Sequence, residues 1–291
     1  MRFRVVSWNL DSGATGRLDD KIDLLRRLEP DLALLQELNR PVHRALLPHP
    51  LVHGRIHARP RIFSWGALST DLVRPKASDY RVGCAVLGSA STILLDARLL
   101  DRAPFDVDEA ARPGLLRRTM AARVGIPGGV TVTACSFQAR PVPSRTDTRV
   151  KPAFHAGIAA WIAVQSGPVL FGMDAHAPEV DHPEHRCSRF LRPSSADGGP
   201  GEDRLLGHDP DHGLADVLRR HLAAHPEELA RIRADRPSGP LAVSYRTAGG
   251  PARYDHIWAS TDLEVTDVRY LYDEALAAGS DHGLVLADFE L

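Results

Sequence analysis

The sequence predicts an α/β chain in which two β-sheets pack face to face with helices on the outside, and three observations carry that expectation. The first 37 residues read as strand, helix, strand, with a connection long enough for a parallel crossover. The middle and the end of the chain are runs of short apolar and β-branched segments punctuated by Gly and Pro. Two or three helical stretches interrupt those runs without a linker and without a repeat of about 20 to 50 residues, so residues 1–291 are expected to form one domain.

Taken in order, Arg2 to Trp8 has Phe3, Val5 and Val6 as the apolar content of a strand that stops at Asn9, before the loop Asp11-Ser12-Gly13. Leu18, Ile22, Leu25 and Leu28 then recur at helical steps, and Glu29-Pro30-Asp31 ends the helix. Leu32 to Leu35 is short, apolar and bounded, which predicts a buried strand finishing at Gln36-Glu37. Gly83–Leu87, Ser91–Leu95, Met120–Val124 and Val130–Cys135 have strand length and composition. Ala153–Gln165 carries Phe154, Ile158, Trp161 and Ile162 at helical spacing, and Gly167-Pro168 separates it from the strand Val169-Leu170-Phe171, which runs on to Asp174. From His176 to His212 the chain is polar and rich in Gly, Pro and His, which predicts a long surface excursion. Leu214–Leu222 and Pro226–Ala234 follow as helices, and Leu241–Arg246, Arg253–Ser260, Val265–Tyr270 and Leu284–Leu291 as strands.

Composition excludes several classes. Apolar residues at 43% and charged residues at 25% are globular values, which exclude wholesale disorder. A formal net charge of −1 lacks the basic excess of a protein that coats nucleic acid, although a local basic groove stays compatible with it. Cys84, Cys135 and Cys187 have no C-x-x-C spacing, so neither a disulfide framework nor a cysteine zinc site is expected. The start MRFRVVSWNL lacks the pattern of a signal peptide and no run approaches 18 apolar residues, so a cytoplasmic chain without a membrane segment is expected. Neither G-x-G-x-x-G nor a P-loop occurs, which counts against dinucleotide oxidoreductases and nucleotide kinases.

Asn9, Glu37, Asp174, Asp255 and the pair Asp281-His282 each lie at or just beyond an expected strand. Acids at the ends of several strands can converge on one rim of a sheet, where oxygen ligands suit Mg²⁺, Mn²⁺ or Ca²⁺. Ser7-Trp8-Asn9, Leu35-Gln36-Glu37, Gly172-Met173-Asp174-Ala175-His176, Tyr254-Asp255-His256-Ile257-Trp258 and Ser280-Asp281-His282 occur in the order seen in the endonuclease/exonuclease/phosphatase superfamily, and Gly213-Leu214-Ala215-Asp216 resembles its Gly-Leu-x-Asp turn. These motifs extend over nearly the whole chain.

The resemblance implies a four-layer α/β/β/α, DNase-like fold and a divalent-metal-dependent phosphoester hydrolase, a phosphodiesterase or nuclease. The metal, Mg²⁺ or Mn²⁺, would be held by Glu37 with Asn9 and Asp281. Asp174 would orient or deprotonate the attacking water, and His282, oriented and kept protonated by Asp255, would hydrogen-bond the phosphate. Two departures from the family pattern stand out: Gln138 replaces a His and cannot act as a general acid, and His176 replaces an Asn and could donate a hydrogen bond or bind a softer ion. Arg145, Arg149 and Lys151, in the loop after the strand bearing Gln138, and Tyr245 and Arg246, on the approach to Asp255, are candidate substrate contacts. The partner is then nucleic acid or a small phosphorylated molecule. The alternatives are a small-molecule phosphomonoesterase and an impaired relative that only binds a phosphorylated ligand or a protein. His182, His185, His208 and His212 read as solvated loop residues, Trp65, Trp161 and Trp258 as core aromatics, and Cys84 and Cys135 as small buried apolar residues.

Overall fold

Phe3 and Val5 face one way from the first strand, Val6 and Trp8 face the other, and all four are buried. A strand apolar on both faces needs a layer on each side of its sheet. The computed structural model supplies those layers and describes residues 2–11, 17–47, 62–72, 82–107, 112–140, 150–190 and 201–290.

The elements are β1 (Arg2–Asn9), α1 (Leu18–Leu28), β2 (Leu32–Leu38), α2 (Arg40–Leu46), β3 (Trp65–Leu68), α3 (Ser69–Leu72), β4 (Gly83–Gly88), β5 (Ile93–Arg98), α4 (Arg112–Leu116), β6 (Thr119–Gly125) and β7 (Thr131–Gln138). They continue with α5 (Val150–Ala163), β8 (Val169–Asp174), α6 (Gly201–Leu206), β9 (Leu214–Asp216), α7 (Val217–Ala224), α8 (Pro226–Asp235), β10 (Tyr245–Thr247), β11 (Gly250–Ala252), β12 (Asp255–Ser260), β13 (Glu264–Leu271), α9 (Tyr272–Ala277) and β14 (Leu284–Glu290). One six-stranded sheet runs β13-β14-β1-β2-β4-β3 and the other β5-β6-β7-β8-β12-β9. Each holds one parallel pair made by a strand-helix-strand crossover, β1-α1-β2 in the first and β7-α5-β8 in the second.

Three apolar layers follow from the alternation along the strands. Phe3, Leu34, Val86, Met120, Leu170 and Ile257 fill the space between the sheets. Val6, Trp8, Leu35 and Leu286 pack outward against Ile22 and Leu25 of α1, while Phe137, Phe171 and Trp258 pack outward with Phe154 and Ile158 of α5 in the same cluster. The sheets approach closely at Gly172, where an added Cβ would meet Ser7 Oγ at 2.5 Å and Leu34 Cβ at 2.9 Å. A polar seam bonds them: Gln36 Nε2 donates to Ser136 Oγ at 3.1 Å, and Ser136 Oγ donates to the Leu35 carbonyl at 2.8 Å. The two-sheet, helix-flanked architecture is the one expected from the sequence.

Several local expectations are corrected. The helix expected over Leu214–Leu222 begins only at Val217: Leu214–Asp216 is a strand paired with β12, and the Asp216 side chain accepts from the backbone N–H of Leu218 and Arg219, which makes it the helix N-cap. The strand expected over Leu241–Arg246 is reduced to Tyr245–Thr247, because the Leu241 N–H donates to Asp181 rather than to a neighbouring strand. The excursion after His176 is only partly solvated. Ala177, Asp181 and Phe190 are buried, and α6 buries Glu202, Leu205 and Leu206. His212 is buried as well, accepting from the Leu214 N–H, with its other ring nitrogen bonded to the Leu205 carbonyl. His208 is exposed as expected. Cys84, Cys135, Trp161 and Trp258 are buried, whereas Trp65 is half-buried. Among the described residues no helix is long and apolar enough to cross a membrane.

Candidate active site

The crossover topology sends β1, β2, β7 and β8 out at one rim, and β12 and β14, antiparallel to β8 and β1, start there. Asn9 and Asp174 therefore lie at strand ends, Gln138 ends β7 beside Asp174 in register, and Asp255 pairs directly with Asp174 across the β8–β12 ladder. His282 sits two residues before β14, where its backbone carbonyl accepts from Trp8 Nε1 at 3.1 Å. Ser280 ties the same turn to β1 by donating Oγ to the Asn9 carbonyl at 2.7 Å, and it accepts the His282 N–H. Fully buried Ser244 accepts the backbone N–H of both Tyr254 and Asp255 on one oxygen, which fixes the start of β12.

Asp174 is the hub. Its Oδ2 accepts from Asn9 Nδ2 at 2.9 Å, faces His176 Nε2 at 3.3 Å and is reached by Gln138 Nε2 at 3.4 Å. Its buried Oδ1 finds no hydrogen-bond partner among the described residues. Gln138 Nε2 also donates to Glu37 Oε1 at 2.7 Å, which joins Glu37 to the hub. His282 Nδ1 lies 2.9 Å from Asp255 Oδ2, and one ligand atom each of Asp174, Asp255 and His282 falls within 4.8 Å of the others.

The electrostatics separate the two imidazoles. Burial opposes a proton on His282, but Asp255 and Asp174 outweigh it and push its pKa up to about 10. Burial lowers His176, and Asp174 offsets that only in part. Burial also works against ionised Asp174, yet His176 and His282 and the hydrogen bonds from Asn9 and Gln138 hold it below the ordinary carboxylate range. Asp255 goes the other way: burial lifts it to about 6, against the pull of His282.

Backbone strain collects at the same rim. Four described residues other than glycine have φ in the left-handed region, and three of them, Asp11 at 40°, Glu37 at 52° and His176 at 47°, border this cluster. Such conformations persist where the surroundings enforce them. Lys151 helps enforce that of His176 by donating Nζ to its carbonyl at 2.6 Å.

The other sequence-nominated residues divide. Lys151 is buried, with its ammonium 3.6 Å from Glu202, so it supports His176 from behind instead of facing the rim. Tyr245 stands over His282, with ring centroids 4.6 Å apart. Arg246, one residue on, lies over the Tyr272 ring and lines a separate groove. Asp281 is exposed beside His282, and Arg145 and Arg149 lie outside the described residues.

Lys21 was not anticipated. Its buried ammonium donates to the carbonyls of Leu10 and Asp11, within electrostatic reach of Asp11, Asp281 and Glu37. A signal was present in the sequence, since Lys21 falls on the Leu18, Ile22, Leu25, Leu28 stripe and is one of only three lysines.

Asn9 and Glu37 are tied by hydrogen bonds to Asp174 and Gln138, and oxygen donors of this kind beside the orphaned Asp174 Oδ1 suit a hard divalent cation, whereas no contact draws the exposed Asp281 into the set among the described residues. Asp174, Asp255 and His282 form a tighter group of possible ligands, with His282 Nδ1 already engaged by Asp255.

No protein-family model matches the chain, and no curated protein matches it. Solved structures do. TDP2 from D. rerio, complexed with single strand DNA product, is 15% identical with a TM-score of 0.63, covering 100% of this chain and 99% of that one. The human Nocturnin catalytic domain with bound sulfate anion is 15% identical with a TM-score of 0.63, covering 99% and 94%. An endonuclease/exonuclease/phosphatase from Beutenbergia cavernae is 19% identical with a TM-score of 0.59, covering 100% and 72%. The chain has the fold of these endonuclease/exonuclease/phosphatase proteins.

Proposed function

We propose that this chain, sharing the endonuclease/exonuclease/phosphatase fold, is a divalent-metal-dependent phosphoester hydrolase that acts on phosphodiesters, with nucleic acid as its substrate class. The observation that carries the reading is the asymmetry of Asp174: the Asn9 and Gln138 amides donate to Oδ2, with His176 Nε2 beside it, while buried Oδ1 has no described partner. A carboxylate anchored by one oxygen and bare at the other is arranged to take a proton from water. The TDP2 structure captured with single strand DNA product supports nucleic acid as the ligand.

Asn9, Glu37 and Asp281 would hold Mg²⁺ or Mn²⁺, which when bound supplies Lewis-acid polarisation of a phosphoryl oxygen. Asp174 Oδ1 receives the proton of the attacking water. Asn9 and Gln138 keep that carboxylate ionised and fixed in place. His282, its Nδ1 engaged by Asp255, keeps Nε2–H to donate to a non-bridging phosphate oxygen, where negative charge develops. Gln138 holds Glu37 and Asp174 together but has no proton to give a leaving oxygen, so the His282 Nε2 proton, first hydrogen-bonded to the phosphate, passes to the leaving oxygen as its bond to phosphorus breaks.

The test is hydrolysis of a panel of plasmid DNA, RNA, single-stranded oligonucleotide and sugar, nucleotide and inositol phosphates with Mg²⁺, Mn²⁺ or EDTA. Diester cleavage that EDTA abolishes is expected. Cleavage confined to monoesters would move the assignment to a small-molecule phosphatase. A second reading, binding without turnover, draws on Gln138 standing where an acid-base group is expected. It requires phosphoester affinity in wild type with no cleavage of any panel member.

A further inference from the structure

The ammonium of Lys151 makes its short bond to a backbone carbonyl and not to the acid it is paired with. From the first turn of α5 its Nζ donates to the His176 carbonyl at 2.6 Å, while the nearest Glu202 oxygen lies at 3.6 Å. The two side chains are only 2% and 1% exposed, so this is no surface ion pair. α6 brings Glu202 there from the far part of the stretch that follows His176, and its first residue permits the approach: a Cβ on Gly201 would stand 1.8 Å from the Pro152 carbonyl oxygen in α5.

A buried lysine–glutamate pair is a poor way to stabilise a core, because apolar side chains of similar volume do as well or better. Burial lowers Lys151 and raises Glu202, and each opposes the shift of the other, so the two hold their charges together. What the pair secures is a backbone that is costly on its own. His176 has a φ of 47°, a left-handed conformation that a residue other than glycine keeps only where its surroundings enforce it. Its neighbours are pinned as well: the Ala175 N–H donates to the Tyr254 carbonyl at 2.8 Å, and the Ala177 carbonyl is bonded to His256 Nε2 at 2.8 Å. In that conformation the His176 imidazole sets Nε2 3.3 Å from Asp174 Oδ2 and leaves Oδ1 bare.

We propose that Lys151 and Glu202 are positioning residues for the reaction: through the His176 carbonyl they hold the His176 ring against Asp174 Oδ2 and so keep Oδ1 open to the attacking water. This rests on the hydrolase reading and deepens it, because it makes α6, which lies behind the rim, a determinant of turnover.

The experiment reads the His176 ring and turnover separately. Lys151→Met and Glu202→Gln each remove one charge at nearly constant side-chain volume. In nitrogen-correlated NMR spectra of the imidazoles recorded without substrate, the His176 signals, identified by their absence in His176→Gly, are expected to shift in both variants while those of exposed His208 stay in place. In steady-state hydrolysis both variants are expected to lose about 10- to 100-fold in kcat with KM held within about twofold, the size of effect when a reacting group is misplaced by about an ångström. Glycine takes a left-handed backbone freely, so Lys151→Met added to His176→Gly should cost about twofold further in kcat at most. His176 signals unmoved in both folded variants would overturn the proposal. So would an equal kcat loss from Lys151→Met in the wild-type and His176→Gly backgrounds, the mark of a lysine that only stabilises the fold. Shifted His176 signals in a protein that cleaves no phosphoester would uphold the hold on His176 while sinking the hydrolase reading. Should neither charge variant fold, the side-chain couplings of His176 in wild type decide the matter: a single fixed rotamer supports the proposal, and couplings averaged over rotamers overturn it.

Discussion

Two clusters of charge lie near the start of β12, and they are built to opposite rules. Behind the strand, Arg253 is 2.8 Å from Asp181 and donates to Asp216 at 2.6 Å, and Arg219 pairs with the same two acids. Two guanidiniums face two carboxylates, and although burial disfavours the Asp216 carboxylate, Arg253 holds it well below its ordinary range. At the rim, Glu37, Asp174, Asp255 and Asp281 gather around His282 and His176, with Lys21, Arg118 and Lys151 within electrostatic reach, and Asp174 Oδ1 and Asp255 Oδ1 find no hydrogen-bond partner among the described residues. The first cluster is complete in charge and closes the fold around Asp255. The second leaves two buried carboxylate oxygens bare and sets strongly shifted acids and imidazoles side by side, the kind of arrangement found where a protein does chemistry.

Substitutions separate the two most sharply. Asp174→Asn is expected to lower turnover by about 10²- to 10⁴-fold, the range of a lost general base, while leaving the urea midpoint nearly unchanged. Steady-state kinetics and denaturation on one preparation check both halves. Arg253→Met should do the reverse. Leaving the two buried acids Asp181 and Asp216 with Arg219 alone costs about 3–5 kcal/mol of stability, read as a fall in the urea midpoint, with any lost activity following the unfolded fraction.

The pH dependence gives a smaller but more specific contrast. The His282 pKa rises from an unfolded value near 6.5 to about 10, so the folded chain binds the extra proton between those limits. Its stabilisation is full below about pH 6.5 and is lost as pH rises toward 10. The urea midpoint should decline across that window, and His282→Gln should flatten the decline. On the acid side, protonation of Asp255, lifted to about 6, should bring kcat/KM down below that pH. An acid limb centred near the ordinary carboxylate range would show that Asp255 is not the limiting group.

The layered fold was legible because both faces of β1, β2 and β8 are apolar and their lengths leave little choice of element. The rim was legible too, since Asn9, Glu37, Asp174, Asp255 and His282 all lie where strands end or begin, and parallel crossovers send those ends to one side. What stayed hidden depended on tertiary partners. Leu214–Asp216 has helical composition, but an edge place beside β12 and a cap at Asp216 override it. Lys151 reads as a phosphate-binding cation until Glu202, on a helix 50 residues later, is seen to face it. Strand alternation separates Tyr245 from Arg246, so two neighbours that read as one substrate contact serve two different surfaces.

The central proposal is that the rim binds a divalent cation through Glu37, while the Arg253 cluster is a structural one. Isothermal titration of Mn²⁺ into wild type, Glu37→Ala and Glu228→Ala tests it directly, the last being a carboxylate on α8 away from the rim. Binding in wild type and in Glu228→Ala with loss in folded Glu37→Ala is the predicted result. Equal Mn²⁺ binding in all three, or none in wild type, would contradict the account.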